Sequence, residues 1–219
     1  LLQTNTSGFA VRADEGIETP ADFAGLTYGT FNSPYEEPTL SALVECAGAD
    51  SSSIEYVTAG SDLLAMLQQG LADVVWIFYG TQGFQAERVG VQISYFPLNE
   101  YTDCIPDYYT PVLIAGEQTL VERPEVVRAF LAALTDAYQS VVDDPAAAAG
   151  TLAEAVAELN AAELQQSVAW LAERMIIDAP QWGYQAPSVW VEYSAWLYQA
   201  GVIGTQIDPQ AAFTNEFLP

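Results

Sequence analysis

The order of apolar and polar positions divides the chain into two regimes. Through residue 98, short apolar runs closed by turn residues alternate with helical periods. "SGFAVRAD" reads as a strand. "GIETPADFAG" gives a turn and a short helical stretch, with Thr19 as its cap and Pro20 at the first helical position. "LTYGTF" is a second strand, and "SPYEEPTLSALVECAG" a helix stopped at Gly48. "SIEYVTAG" is a strand, and "SDLLAMLQQGLAD" an amphipathic helix with Leu63, Leu64, Leu67 and Leu71 on one side. "VVWIFYG" is an unbroken apolar strand of the kind covered on both faces, and a short helix over "GTQGFQAERVG" leads to the strand "VQISYFPL". Residues 26–98 therefore predict a βαβαβαβ unit with right-handed crossovers and a mostly parallel sheet.

Beyond residue 98 the period changes. "YYTPVLIAG" reads as one more strand, and nearly everything after it is helical. "RPEVVRAFLAALTDAYQSVVDD" lines up Val127, Phe130, Leu131, Leu134, Tyr138 and Val141. "NAAELQQSVAWLAERM" does the same with Leu164, Val168, Leu171 and Met175, and "SVWVEYSAWLYQAGVIG" with Val189, Tyr193, Trp196, Leu197 and Ala200. Between the first two, "DDPAAAAG" is a linker or a helix start. The strands Ser7–Asp14 and Tyr108–Gly116 lie outside the central unit and suit hinge-adjacent connections to a second sheet.

Composition narrows the functions. Of 219 residues, 51% are apolar and 12% aromatic, which supports a folded core. The formal charge of -24 comes from a shortage of base: Lys is absent, and the cations are Arg12, Arg88, Arg123, Arg128 and Arg174. Such a surface repels nucleic acid and anionic lipid. The absence of His removes the commonest general base and zinc ligand. Two cysteines, Cys46 and Cys104, are too few for a thiolate metal site, and spacing alone leaves open whether they pair. No apolar run reaches the ~20 residues that span a bilayer. The opening "LLQTNTSGFAV" reads as a mature or trimmed start.

Four stretches occur in order and register: "GIETPADFAGLTYGTFNSPYEE", "LQQGLADVVWIFYG", "DYYTPVLIAGEQTLVERPEVVRAFLAAL" and "AAFTNEFLP". Together they resemble the solute-binding proteins of ABC importers that carry the thiamine-precursor formylaminopyrimidine, with their riboflavin-binding relatives, a family related to the fungal thiamine-pyrimidine synthases. The resemblance implies an α/β, type II periplasmic binding protein of Venus-flytrap form, with two lobes, mostly parallel sheets and a helical C-terminal tail. It makes residues 1–24 a residual part of lobe 1 and the first crossover, 25–100 lobe 2, and 101–219 the return crossover and the helical part of lobe 1. Members carry roughly another hundred residues in front, on the scale of one domain, so the N-terminal part of lobe 1 is expected to be missing here. The implied partners are a small flat heterocycle, aminopyrimidine or flavin, and ABC permease subunits, with no nucleic acid and a monomeric state. The implied location is periplasmic or extracellular, with the signal peptide removed and lipid anchoring left open.

Ligands of open α/β sheets sit beyond the carboxyl ends of strands. That places the expected ligand contacts at Phe31, Asn32, Ser33 and Glu36 after "LTYG", at Trp76 and Tyr79 closing "VVWIFYG", and at Asp107, Tyr108 and Tyr109 on the interlobe segment. Ser33, Pro34 and Glu36 also have the spacing of a capping box, which gives Glu36 a plainer task. Asn32 offers an amide for ring nitrogens and an exocyclic amine, although Asn and Ser are ordinary turn residues too. The alternation sets Trp76 and Phe78 on one face and Val75 and Ile77 on the other, so one pair is core. Tyr79, at the strand end, suits stacking on a flat ring. Tyr108 and Tyr109 point to opposite faces, and Asp107 either pairs with an amino group or caps a turn. Trp170, Trp182, Trp190 and Trp196 read as core of the tail, with "QWGYQ" as a loop near the rim.

No Arg falls in these loops, so a phosphate or sulfonate lacks its usual bidentate partner and a neutral nitrogen-rich ring fits better. No catalytic set, metal site or cofactor is expected. The related synthases use a pyridoxal-phosphate lysine, a histidine and a cysteine-rich run, whereas this chain has "IPDYY" at the equivalent place, Cys104 alone, and neither Lys nor His.

Overall fold

The computed structural model describes residues 1–58, 62–175 and 179–219. Its strands are β1 (Ser7–Arg12), β2 (Thr27–Thr30), β3 (Glu55–Thr58), β4 (Val74–Phe78) and β5 (Ile93–Pro97). Helices α1 (Glu36–Cys46), α2 (Leu63–Gln69) and α3 (Phe84–Arg88) connect β2 to β5 in turn. The tail of "SIEYVTAG" at Ala59 and Gly60, and Ser61 ahead of α2, lie outside the described residues.

The chain divides into two compact units: Thr6–Asp107 with Val191–Ile207, and Leu1–Asn5 with Tyr108–Trp190 and Asp208–Pro219. The first holds a five-stranded sheet in the order β3-β2-β4-β1-β5. β2 runs parallel to β3 and β4, while β1 lies antiparallel to both β4 and β5. Four strands therefore share one direction, as the βαβ pattern predicts, and β1 alone is reversed. This corrects the placing of β1 outside the α/β unit. Its residues Ser7 to Val11 are all buried, which only an interior strand allows. The expected boundaries at residues 24/25 and 100/101 both fall inside this unit, which runs from Thr6 to Asp107. Gly8 makes the seam with β5 possible, since a Cβ there would stand 2.6 Å from the Tyr95 ring and 2.8 Å from Pro97 Cα.

Each face of the sheet has its own core. On one, Phe9 meets Phe23 at 6.2 Å, Tyr28 at 5.9 Å and Trp76 at 5.2 Å between ring centroids. On the other, Leu64, Met66 and Leu67 of α2 and Ala86 of α3 pack with Ala10, Val75 and Ile77. Full burial of a side chain such as Leu67 contributes ~1.5–3 kcal/mol. Leu71 falls outside this core, exposed, because α2 ends at Gly70, whose φ of 65° is left-handed. A disulfide joins Cys46, the last residue of α1, to Cys104 beyond β5.

The second unit carries α4 (Glu117–Glu122), α5 (Pro124–Asp143), α6 (Pro145–Ala155), α7 (Ala161–Met175) and α9 (Pro209–Ala212). The thirteen residues of α8 (Pro187–Gln199) are shared between the units. The Ala-rich stretch is the start of α6, capped by Asp144, whose side chain accepts from the Ala147 N–H. α5 half-buries Val127, Leu131, Leu134, Tyr138 and Val141 but leaves Phe130 exposed. The expected strand over Tyr108–Gly116 is absent. Pro111 follows a cis peptide bond and offers no ladder donor, and no described strand pairs with this segment. Ile114 there is 93% exposed. Among the described residues no helix is long and apolar enough to cross a membrane.

Candidate functional site

β2 and β4 are parallel neighbours, so their carboxyl ends open on the same edge of the sheet. The register pairs Gly29 with Val75, which brings Thr30 level with Trp76. The loop that follows β2 is fixed from beneath by one side chain. Glu36 is 1% exposed. Its Oε1 accepts from the Tyr28 hydroxyl at 2.7 Å and the Phe31 N–H at 3.1 Å. Its Oε2 accepts from the Ser33 N–H at 2.7 Å and the Thr30 hydroxyl at 2.9 Å. Four donors thus replace the water that burial removes from the carboxylate. Burial, then this bond to Glu36, raises the Tyr28 phenol far above its ordinary range.

The expected capping box is half formed. Glu36 reaches back to the Ser33 N–H, but Pro34 and Tyr35 form a turn and α1 begins at Glu36 without a side-chain cap. Asn32 takes a left-handed φ of 63°, which its short amide tolerates. Its N–H donates to the Thr30 hydroxyl oxygen at 2.8 Å, and its Oδ1 accepts from the Thr58 hydroxyl at 3.5 Å.

The loop carries an aromatic shelf. Phe31 meets Tyr35 at 6.2 Å and Trp76 at 6.4 Å, and Tyr35 meets Trp76 at 5.6 Å and 81°. Trp76 is 5% exposed, whereas Tyr35 and Phe31 are 38% and 43% exposed. Phe78, next along the Trp76 face, is exposed as well. Sequence reasoning missed Tyr35 as a member of the shelf. Tyr35 was hidden in what read as a helix start.

The remaining expected contacts lie elsewhere. Tyr79 turns to the opposite face, against Tyr95 at 4.9 Å and Phe84 at 5.6 Å, with its hydroxyl 3.3 Å from Glu87 Oε1. It opens a π-helical turn, Tyr79–Gly83, where Gly83 is required: a Cβ there would stand 2.7 Å from the Tyr79 ring. Asp107 lines a separate cavity of about 560 Å³ with Glu192, Trp196 and Gln199. Tyr108 and Tyr109 belong to the other unit, where the Tyr109 hydroxyl accepts from the Ala186 N–H at 2.7 Å. In that unit Trp182 donates to the Leu2 carbonyl at 3.1 Å, and Trp190 stacks on Phe213 at 5.5 Å.

Three of the five arginines have contacts away from the shelf. Arg12 binds Asp14 and Glu15, Arg174 lies 3.3 Å over the Trp170 ring, and Arg128 covers Phe217. None of these Arg contacts involves the shelf. Among the described residues no cluster of three or more His, Cys, Asp or Glu is placed to hold a metal ion.

A family profile described as NMT1/THI5 like matches residues 1–148. Among curated proteins, the formylaminopyrimidine-binding protein of Halalkalibacterium halodurans is 32% identical over 190 residues, 84% of this chain and 57% of that protein. The chain thus spans little more than half of that relative's length. Among solved structures, the periplasmic aliphatic sulphonate-binding protein SsuA from Escherichia coli superposes with a TM-score of 0.68 at 15% identity, over 98% of this chain and 69% of that one. The desulfurization enzyme DszB superposes with a TM-score of 0.62 at 14% identity, over 98% and 75%. At such identities the likeness shows the fold alone, an α/β architecture used by binders and by an enzyme.

Proposed function

Because the chain belongs to the NMT1/THI5-like family, we propose that it is a solute-binding protein that takes up a flat, neutral aminopyrimidine and delivers it to an ABC permease, without chemistry of its own. The observation that carries this reading is the shelf of Phe31, Tyr35 and Trp76 at the carboxyl ends of β2 and β4, held by Glu36. Aromatic faces suit a planar ring, and the amide of Asn32 can serve both a ring nitrogen and an exocyclic amine. A buried carboxylate beneath the loop and no Arg among its ring contacts disfavour a sulfonate. Phe31, Asn32, Ser33, Tyr35 and Trp76 are the proposed contacts, with Glu36 as the positioning residue. Residues between Thr6 and Asp107 supply this wall of the site. Formylaminopyrimidine, which the relative is named for binding, is a flat nitrogen-rich ring of the kind these contacts suit. The disulfide fits an oxidising compartment outside the cytoplasm.

Calorimetric titration of the protein with formylaminopyrimidine tests the reading. Saturable binding without turnover is expected, with no binding of an alkanesulfonate. Tyr35→Ala should weaken the complex by ~1–2 kcal/mol, an aromatic contact plus some burial, while Tyr79→Ala should not. Binding of the sulfonate in place of the pyrimidine would overturn the assignment.

A further inference from the structure

Among the described residues, one buried side-chain polar atom has no hydrogen-bond partner: the indole Nε1 of Trp76. A buried N–H without an acceptor is costly, and folded chains keep few of them. The rest of the ring is well packed, with Phe9 at 5.2 Å on the core side. The other rings around it, Tyr35 and Phe31, are the exposed members of the shelf and sit on one short loop. An acceptor that satisfies Trp76 would therefore arrive from the loop side, by parting those two rings.

We infer that Trp76 Nε1 is a specificity-determining donor of the ligand site. A planar ligand that enters between Phe31 and Tyr35 brings a neutral acceptor, a ring nitrogen or an amide oxygen, to the indole N–H. Donor-only groups leave the N–H as costly as before. Anionic acceptors meet the buried Glu36 carboxylate, which already takes the Phe31 N–H on the same loop. The orphan donor thus selects for acceptor-bearing, uncharged heteroaromatic ligands, a property that rests on the binding role proposed above and narrows it.

The test follows the indole N–H resonances of isotope-labelled protein during titration with formylaminopyrimidine and with the same aminopyrimidine lacking its formyl group. Trp76→Phe, which keeps an aromatic ring and removes the donor, assigns the Trp76 signal. Saturation should move that signal downfield, and Trp76→Phe should bind ~10-fold more weakly, the worth of one hydrogen bond. A loss common to both compounds assigns a ring nitrogen as acceptor, and a loss confined to the formyl compound assigns its oxygen. If calorimetry shows binding while the Trp76 resonance stays in place, or Trp76→Phe binds as the wild type does, the inference fails and the binding role stands. If neither compound binds the wild-type protein, both fail. The wild-type resonance, assigned by through-bond experiments, decides the matter even if the variant does not fold.

Discussion

Replacing Glu36 by Gln removes an acceptor that backbone geometry cannot replace. The Thr30 hydroxyl can rotate to accept from the new amide, but the Ser33 N–H would face an N–H₂ group at the 2.7 Å now held by Oε2. Leaving this part-buried donor unpaired costs ~1 kcal/mol, the low end of the range for buried groups. Urea unfolding of Glu36→Gln should show that loss together with weaker ligand binding, and an unchanged midpoint would mean the loop is held by other bonds. Tyr28 adds a pH dependence with a definite sign. Burial and Glu36 raise its folded pKa above the ordinary 10.0, so its contribution is fully present below pH 10.0 and is lost as pH rises beyond it. Thermal melts should hold to about pH 10 and fall above it. Tyr28→Phe should lose less on the same rise, and an equal loss would assign the effect to other phenols. The spacing of Ser33 and Glu36 was legible as a local cap. The hub was not, because two of its four donors come from β2, brought close only by the turn between strand and helix.

At the scale of elements, the five strands and most helices could be read from apolar runs and helical periods. Strand parity carried to the end of β4 already sets Tyr79 with Val75 and Ile77, opposite Trp76, and grouping Tyr79 with Trp76 in one site overrode it. Tyr79 leaves β4 on the Val75 side and Trp76 on the other, so two aromatics expected together are separated by the sheet. The segment Tyr108–Gly116 has strand-like composition but no partner, and a strand exists only through its ladder. The Cys46–Cys104 bond, open at the level of spacing, clamps the end of α1 to the turn beyond β5 across 58 residues. Closing a loop of that length in the unfolded chain is worth about 4 kcal/mol by the chain-entropy estimate. Reduction, or the double Ser variant, should lower the unfolding free energy by about that amount. A change below about 1 kcal/mol would show that the unfolded chain already keeps the two segments together without the bond.

Across the whole molecule, 29 carboxylates face five arginines, and the net charge is -24. Self-repulsion at that density opposes compaction, and salt screens it over a Debye length of ~10 Å at 0.1 M. The opposite effect, loss of favourable pairs, is small: the Arg12 contacts with Asp14 and Glu15 and the Arg174 contact with Glu173 are local. Raising NaCl from about 10 mM to about 100 mM, which shortens that length from ~30 Å to ~10 Å, should therefore stabilise the protein. The gain is expected on the order of 1 kcal/mol, about 2–4 °C in Tm for a chain of this length, and a fall in Tm would show that attractive pairs dominate. The position of β1 has a consequence in time. β1 pairs with β4 and β5, both later in the sequence, so Phe9 must wait for both Trp76 and Phe96 before its ring is covered. Contacts so distant in sequence make for slow closure, and an apolar strand that waits is an aggregation hazard in a folding chain. Phe9 is also the ring that backs Trp76. The shelf of Phe31, Tyr35 and Trp76 is therefore backed only when the first of the five strands is enclosed by the last.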